Sequence, residues 1–154
     1  MQQVSFSYDV QHSIDAPLPD VFAFLADVRN IVACSSGVEH SDIIDSRTAK
    51  WTLTRKEQFG LSFAPEYTLS YDFTPGASIA WCTLDGNVAV RAKLTLSTLD
   101  DRRTSVTIKE EVQFALPISP IMARMVSTFA RIETRNETLQ FLKCAAERLE
   151  HALS

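Results

Sequence analysis

Three polar side chains lie in predicted strands at positions that otherwise carry apolar residues: His12, Arg55 and Glu110. Burying such a group is costly unless it finds a partner. In a functional interpretation, Arg55 and Glu110 bind the carboxylate and the hydroxyl of a ligand, and His12 acts as an acid or base. In a structural interpretation, Arg55 extends to water at a strand end and the other two are satisfied locally. The sequence leaves both open, because a one-residue change of strand register moves each side chain to the opposite face.

Recognisable catalytic motifs are absent from the sequence. It contains no G-x-S-x-G, no H-E-x-x-H and no glycine-rich phosphate loop, and it has only 4 glycines. Cys34 and His40 do not establish a nucleophilic site, since proximity in sequence says little about geometry. His12, His40 and Asp42 lack the spacing of a metal-ligand pair on a helix. Catalytic residues are therefore left unassigned, and neither a metal nor a cofactor is expected.

Length and charge restrict the class of protein. The chain has 154 residues, 45% hydrophobic and 22% charged, which is typical of one globular domain spanning 1–154. Its net charge of −4 argues against nucleic acid as a partner. No apolar run reaches the roughly 18 residues of a membrane span, and the N-terminal residues do not resemble a signal peptide. The chain is expected to be soluble.

The cysteines bear on the compartment. Cys34, Cys82 and Cys144 form no CxxC pair. An odd number of cysteines is more typical of a reducing compartment than of a disulfide framework. The sequence therefore predicts a cytoplasmic protein with reduced cysteines.

Hydrophobic periodicity predicts the order of the structural elements. Residues 4–14 alternate between apolar and polar types, which indicates a half-buried antiparallel strand. Two prolines then begin a short apolar helix at 17–28, which fades into a second short turn. Six further strands are predicted between 38 and 116, and their turn signals favour consecutive hairpins. From Ser119 onward, apolar residues recur every three or four positions and predict a long amphipathic C-terminal helix.

Four segments carry a resemblance to a known superfamily: IDAPLPDVFAFLADVRN (14–30), SIAWCTLDG (78–86), RTSVTIKEEVQF (103–114) and FLKCAAERLEHAL (141–153). With this order of elements, the whole chain resembles the SRPBCC or START-like superfamily, which includes polyketide cyclase/dehydrase and lipid-transport families. The resemblance implies an α+β helix-grip fold. In it a curved, seven-stranded antiparallel sheet wraps around the C-terminal helix, and one or two short helices after strand one close a cavity. NIVACSSGVE (30–39) stands where many members have Trp and Pro, so the closing region is expected to differ in shape.

A ligand cavity needs large apolar walls and a few polar groups that orient the ligand. The rows expected to face the cavity, together with the first helix, supply the candidate ligand-binding residues: Phe22, Leu25, Trp51, Arg55, Tyr67, Tyr71, Trp81, Glu110, Met122, Met125 and Phe129. In the simpler interpretation, most of these aromatic and methionine side chains only fill the core.

Three functions are open at this point. The first, favoured by an aromatic-rich inward surface with few ionisable residues, is binding or transport of a hydrophobic small molecule such as a lipid, an isoprenoid or a polyketide-like compound. The second is an enzyme of cyclase/dehydrase type, with Arg55, Glu110, Tyr71 and His12 as the available acting groups. The third is an interaction module similar to chaperone activators, which predicts a filled interior. Transport predicts an apolar tunnel with gates near residues 30–37 and 59–65, whereas catalysis predicts converging polar side chains. The sequence determines neither the ligand nor the oligomeric state.

Overall fold

The computed structural model describes residues 1–153, and within them the chain forms nine strands and three helices. In chain order these are β1 (Gln2–Ile14), α1 (Leu18–Leu25), α2 (Val28–Cys34), β2 (Val38–Asp45), β3 (Thr48–Leu53), β4 (Lys56–Gln58), β5 (Leu61–Phe63), β6 (Glu66–Thr74), β7 (Ser78–Gly86), β8 (Ala89–Asp100), β9 (Arg103–Leu116) and α3 (Pro120–Leu153). Seven strands form one antiparallel sheet in the order β1-β9-β8-β7-β6-β3-β2. This sheet and the long α3 confirm the predicted α+β helix-grip fold.

Local sequence explains where the first elements begin and end. Along β1, Val4, Tyr8, Val10 and Ile14 are buried while their neighbours are more exposed, as the alternation predicts. α1 begins directly after Pro17, and Asp20 in its first turn favours the helix dipole. The Asp27 side chain accepts a hydrogen bond from the backbone N–H of Arg29 at 3.0 Å and so caps α2. The predicted second turn is therefore a separate helix.

The hairpin β4–β5 was not predicted as a pair of strands. In the sequence, FGLS (59–62) indicates only a turn, because each flanking strand is three residues long and too short to show an alternating pattern. Phe59 and Gly60 connect them with φ of 54° and 74°, both in the left-handed region. Two successive residues with positive φ are the signature of a tight hairpin turn whose twist matches the strands. The hairpin forms a two-stranded sheet of its own, outside the main sheet.

The two halves of α3 bury different parts of its apolar pattern. The C-terminal half packs into the core as the periodicity predicts, through Leu142, Ala145, Ala146 and Leu149. In the N-terminal half, Ser127 and Arg131 donate hydrogen bonds to backbone carbonyl oxygens of β1 and fix the rotation of the helix. Three large apolar residues of that half consequently face outward: Ile121, Met125 and Ile132 are 74%, 49% and 54% exposed. The residues of this half that are buried, Ala123 and Val126, pack into a smaller cluster apart from the main core.

The prediction of reduced cysteines is wrong for two of the three residues. Cys34 at the end of α2 and Cys144 on α3 form a disulfide, with their Cα atoms 5.5 Å apart. Only Cys82 is a free thiol among residues 1–153, and it is exposed. The pairing was not predictable from spacing, because 110 residues separate the two cysteines and only the packing of α2 on α3 brings them together.

Membrane-spanning helices are not found in the part of the chain that the structure describes: none of its helices combines the necessary length and hydrophobicity.

Candidate ligand-binding cavity

A cavity of about 270 Å³ lies between the main sheet and α3. Side chains of all nine strands and all three helices contribute to its wall, and most of them are apolar or aromatic. This volume is slightly below the roughly 300–1,000 Å³ typical of ligand pockets. The cavity therefore suits a small molecule.

Strand register assembles one row of side chains across five strands. Glu110 on β9 pairs with Tyr8 on β1 and with Ala92 on β8. Trp81 on β7 pairs with Ala92 on one side and with Tyr71 on β6 on the other. We call Tyr8, Glu110, Ala92, Trp81 and Tyr71 the cross-sheet row. Because Ala92 carries only a methyl group, the Trp81 indole reaches across it to Glu110.

The carboxyl of Glu110 is hydrogen-bonded at both oxygens. Tyr8 Oη donates to Oε1 at 2.6 Å, and Trp81 Nε1 donates to Oε2 at 3.3 Å. Tyr8 Oη is also 2.6 Å from Thr138 Oγ1 on α3. The Thr138 hydroxyl in turn lies 3.0 Å from the carbonyl oxygen of Thr134. A continuous hydrogen-bonded chain therefore runs from Glu110 to the backbone of α3.

Every hydroxyl of this hydrogen-bonded chain can find a partner in either charge state of Glu110. When Glu110 is ionised, Thr138 donates to Tyr8 and Tyr8 donates to the carboxylate. When Glu110 is neutral, its carboxyl O–H donates a hydrogen bond to Tyr8, Tyr8 donates to Thr138, and Thr138 donates to the Thr134 carbonyl. Neither arrangement leaves a buried hydroxyl without a partner, which would be costly. Glu110 can therefore gain or lose a proton without disrupting its surroundings.

Burial controls the acidity of Glu110. It raises the pKa of this carboxyl above the ordinary value, the hydrogen bonds from Tyr8 and Trp81 oppose the change, and the nearby Glu137 carboxyl adds to it. The accessible surface that Glu110 retains belongs to the cavity wall. The cavity thus contains one deeply placed acid that titrates above the usual range of glutamate.

Replacing Glu110 by glutamine is expected to remove part of the pH dependence of stability. The raised pKa means that Glu110 contributes stability below its unfolded-state pKa, and this contribution is lost as pH rises through the folded-state pKa. Glutamine cannot ionise, so the free energy of unfolding of the wild type relative to Glu110→Gln should fall as pH rises. Urea unfolding of both proteins from about pH 4 to pH 8 measures this difference. Glu137 is present in both proteins, so the comparison isolates the contribution of Glu110. A difference that does not change with pH would contradict the raised pKa.

Three further aromatic residues of the wall carry a polar atom: Trp51, Tyr67 and Tyr71. Trp51 on β3 pairs with Tyr67 on β6, and Tyr71 lies on the same face of β6. Burial raises the pKa of both tyrosines, although the nearby Trp51 indole lowers that of Tyr71. Trp51 Nε1 nevertheless lies outside hydrogen-bond geometry and has no acceptor within residues 1–153. A buried N–H without a partner is rare in proteins, and this one lies behind the cavity surface rather than on it.

The hairpin meets α3 where the cavity opens to solvent. Lys56 on β4 forms ion pairs with Glu133 and with Glu137 of α3, the second at 3.3 Å. The ring of Phe59 meets that of Phe129 edge-on, with 5.8 Å between the ring centroids. All five side chains line the cavity and are partly exposed. Burial works against the charge of Lys56, but the two carboxylates outweigh it and raise its pKa.

The structure brings most of the predicted ligand-binding residues to the cavity and places four elsewhere. Those in the wall are Leu25, Trp51, Tyr67, Tyr71, Trp81, Glu110 and Phe129. Phe22 packs against the main core, Met122 packs against a smaller cluster and Met125 is exposed. Arg55 is exposed and donates from Nη1 to Ser62 Oγ at 2.8 Å. That any of the wall residues contacts a ligand stays a prediction.

Several residues of the site were missed at the sequence level. Tyr8 was interpreted as an ordinary member of an apolar row, and its role depends on the register that places it opposite Glu110. On α3, the cavity-facing side chains fill the gap between Ile132 and Leu139 in the apolar periodicity: Glu133, Thr134, Glu137 and Thr138. Their i, i+4 spacing places each pair on one face of a helix. That polar interruption was the signal available.

Comparison with known proteins identifies the fold. No protein-family model matches the chain, and no curated protein matches it in sequence. Among solved structures, the Zhui aromatase/cyclase from Streptomyces sp. R1128 superposes with a TM-score of 0.77 at 17% identity, covering 97% of this chain and 96% of that one. A START superfamily protein from Mycobacterium smegmatis gives 0.70 at 14% identity, covering 93% and 98%. A norcoclaurine synthase point mutant from Thalictrum flavum, in complex with a transition state analogue, gives 0.73 at 11% identity, covering 100% and 99%.

These likenesses confirm that the chain has the START-like (SRPBCC) fold that its sequence resembles. The resemblance predicts a cavity between the sheet and the C-terminal helix, and the structure has a cavity there. At such low identities the likeness concerns the fold, because one fold hosts many activities.

Proposed function

We propose that this protein binds or transports a hydrophobic small molecule in the cavity between the main sheet and α3. The observation that carries the proposal is the cavity itself, about 270 Å³ in volume and walled mainly by apolar and aromatic side chains. A lipid fragment, an isoprenoid or a polyketide-like compound has a body of suitable chemistry. The few polar groups in the wall would orient such a ligand.

An enzyme of cyclase/dehydrase type is the second candidate, and Glu110 favours it. A buried carboxyl whose pKa is raised by burial is the kind of group that acts as a general acid or base. Tyr71 lies on the same wall, whereas Arg55 does not face the cavity and His12 is not part of its wall. One similar structure is named an aromatase/cyclase. Turnover of a polyketide-like substrate that is lost in Glu110→Gln would select this function.

The third candidate, an interaction module, receives less support. It predicted a filled interior, and the chain has a cavity. The cytoplasmic location also stays a prediction, and the Cys34–Cys144 disulfide is more typical of oxidising compartments.

Blocking the cavity tests the proposed function. Ala130 on α3 lines the cavity, so Ala130→Phe should occupy the space that a ligand needs. Ala152→Phe introduces the same ring on an exposed part of the same helix and serves as the matched control. Binding of the uncharged probe 2-(2-naphthyl)ethanol, measured by calorimetry, is expected to weaken at least about tenfold in Ala130→Phe, a loss of about 1.4 kcal/mol. It should be unchanged in Ala152→Phe. Equal binding to both variants would refute a ligand site in this cavity, and so would failure of the wild type to bind this alcohol, the corresponding amine and the corresponding acid.

A further inference from the structure

The deep carboxyl of Glu110 has no positively charged partner among residues 1–153. Its hydrogen-bond partners, Tyr8 and Trp81, are both neutral. The charged group that acts on it is another carboxyl, that of Glu137. Buried carboxylates in proteins are ordinarily paired with a cation. Glu110 lacks such a partner among the described residues, and it faces the cavity.

The charges of the cavity wall are unbalanced as a set. Within residues 1–153 the wall contains three carboxyls, Glu110, Glu133 and Glu137, and a single ammonium, Lys56. Lys56 is already held by Glu133 and Glu137 at the opening. The candidate cation for a ligand carboxylate, Arg55, is exposed and bonded to Ser62 outside the wall. The interior is therefore electronegative and offers an anionic ligand no unengaged partner.

The aromatic composition of the wall favours the opposite ligand charge. Trp81 reaches Glu110 across Ala92 in the cross-sheet row, and Tyr71 stands next to Trp81, with 6.2 Å between their ring centroids. Trp51 and Tyr67 continue this aromatic surface on the neighbouring strand pair. Aromatic faces attract ammonium groups, and the attraction grows when water is excluded. Aromatic rings beside an unpaired carboxylate form a site for an organic cation.

We propose that the ligand is an amine whose apolar body is about the size of an aromatic ring system, and that Glu110 is the counter-ion of its protonated nitrogen. The inference rests on the proposed function, because it assigns the chemistry of the same cavity. The ammonium donates to the Glu110 lone pairs that Tyr8 and Trp81 leave unused, while the hydrocarbon body lies against the aromatic wall. The Glu110–Tyr8–Thr138 chain then stays in its ionised arrangement. Fatty acids and other carboxylates are disfavoured by the same charges.

Three probes that differ only in their polar end test the proposal. They are 2-(2-naphthyl)ethylamine, 2-(2-naphthyl)ethanol and 2-naphthylacetic acid, which at neutral pH are cationic, neutral and anionic. For the wild type we expect the amine to bind at least about tenfold more tightly than the alcohol, and the acid more weakly than both. Equal affinity for the amine and the alcohol would overturn the proposal, and tighter binding of the acid would do so as well. Binding of the alcohol alone would leave the proposed hydrophobic site intact, whereas failure of all three probes would refute both.

Two glutamine variants locate the effect. Glu110→Gln removes the buried carboxylate and keeps its shape, and Glu111→Gln removes an exposed carboxylate from the next position of the same strand. The amine should bind at least about tenfold more weakly to Glu110→Gln, while the alcohol changes by less than about threefold and thereby shows that the cavity is intact. Glu111→Gln should bind both probes as the wild type does. Equal weakening of the amine by both variants would assign the preference to net charge and overturn the role of Glu110.

Discussion

Replacing Gly86 by alanine is expected to lower the free energy of unfolding by about 3 kcal/mol or more. Gly86 ends β7 with φ of +121°, which side chains rarely adopt. A Cβ atom there would lie 2.3 Å from the carbonyl oxygen of Glu66 and 2.5 Å from Tyr67 Cα. Both are backbone atoms of β6, so the strand would have to move away. The free energy of unfolding in guanidinium chloride measures the loss.

Gly76 provides the matched control for this prediction. It also has a positive φ, of +70°, but a Cβ atom there would meet nothing within 4 Å. Gly76→Ala should therefore cost only the backbone strain, about 1 kcal/mol. Equal losses in the two variants would show that the close approach of β7 to β6 is not what requires glycine at position 86. Because Tyr67 lies at this approach, Gly86→Ala should also disturb the aromatic wall of the cavity.

Loss of the Cys34–Cys144 disulfide is expected to cost about 2–5 kcal/mol, because it removes a cross-link between residues 110 positions apart. The bridge joins α2 to α3, and Ile31 of α2 lines the cavity. Cys34→Ser should therefore lower the melting temperature by several degrees and weaken binding of the naphthyl probes. Thermal unfolding with and without a dithiol reductant measures the effect on the wild type.

Cys82→Ser is the control, since this thiol is free and exposed. It should change the free energy of unfolding by less than about 0.5 kcal/mol. The reductant should destabilise the wild type and Cys82→Ser alike and leave Cys34→Ser unaffected. A wild-type melting temperature that does not respond to reductant would show that the bridge contributes no stability.

A preference for amines would also bear on the choice between transport and catalysis. The hydrogen-bonded chain of Glu110, Tyr8 and Thr138 allows Glu110 to hold a charge for binding or to exchange a proton with a substrate. In a carrier, Glu110→Gln changes affinity alone. In an enzyme, the same variant abolishes turnover of a substrate that it still binds.

Local patterns in the sequence were sufficient for the order and type of the main elements. The alternation in residues 4–14 predicted β1, and the three- and four-residue spacing after Ser119 predicted α3, because burial of one face imposes these periods. The interruption of an apolar row also singled out Glu110 as a buried polar group. The same reasoning placed Arg55 in a cavity-facing row, but β3 ends at Leu53 and the alternation does not continue beyond it.

Only the tertiary structure decided which of these groups meet. The cross-sheet row exists because the register of five strands places Tyr8, Glu110, Ala92, Trp81 and Tyr71 side by side, and register depends on pairings between distant segments. The charge imbalance of the cavity depends on Lys56 reaching Glu133 and Glu137 across 77 and 81 residues of sequence. The disulfide likewise depends on the packing of α2 on α3. Sequence periodicity records which side of an element is buried, whereas partners across the fold are selected only when the elements pack together.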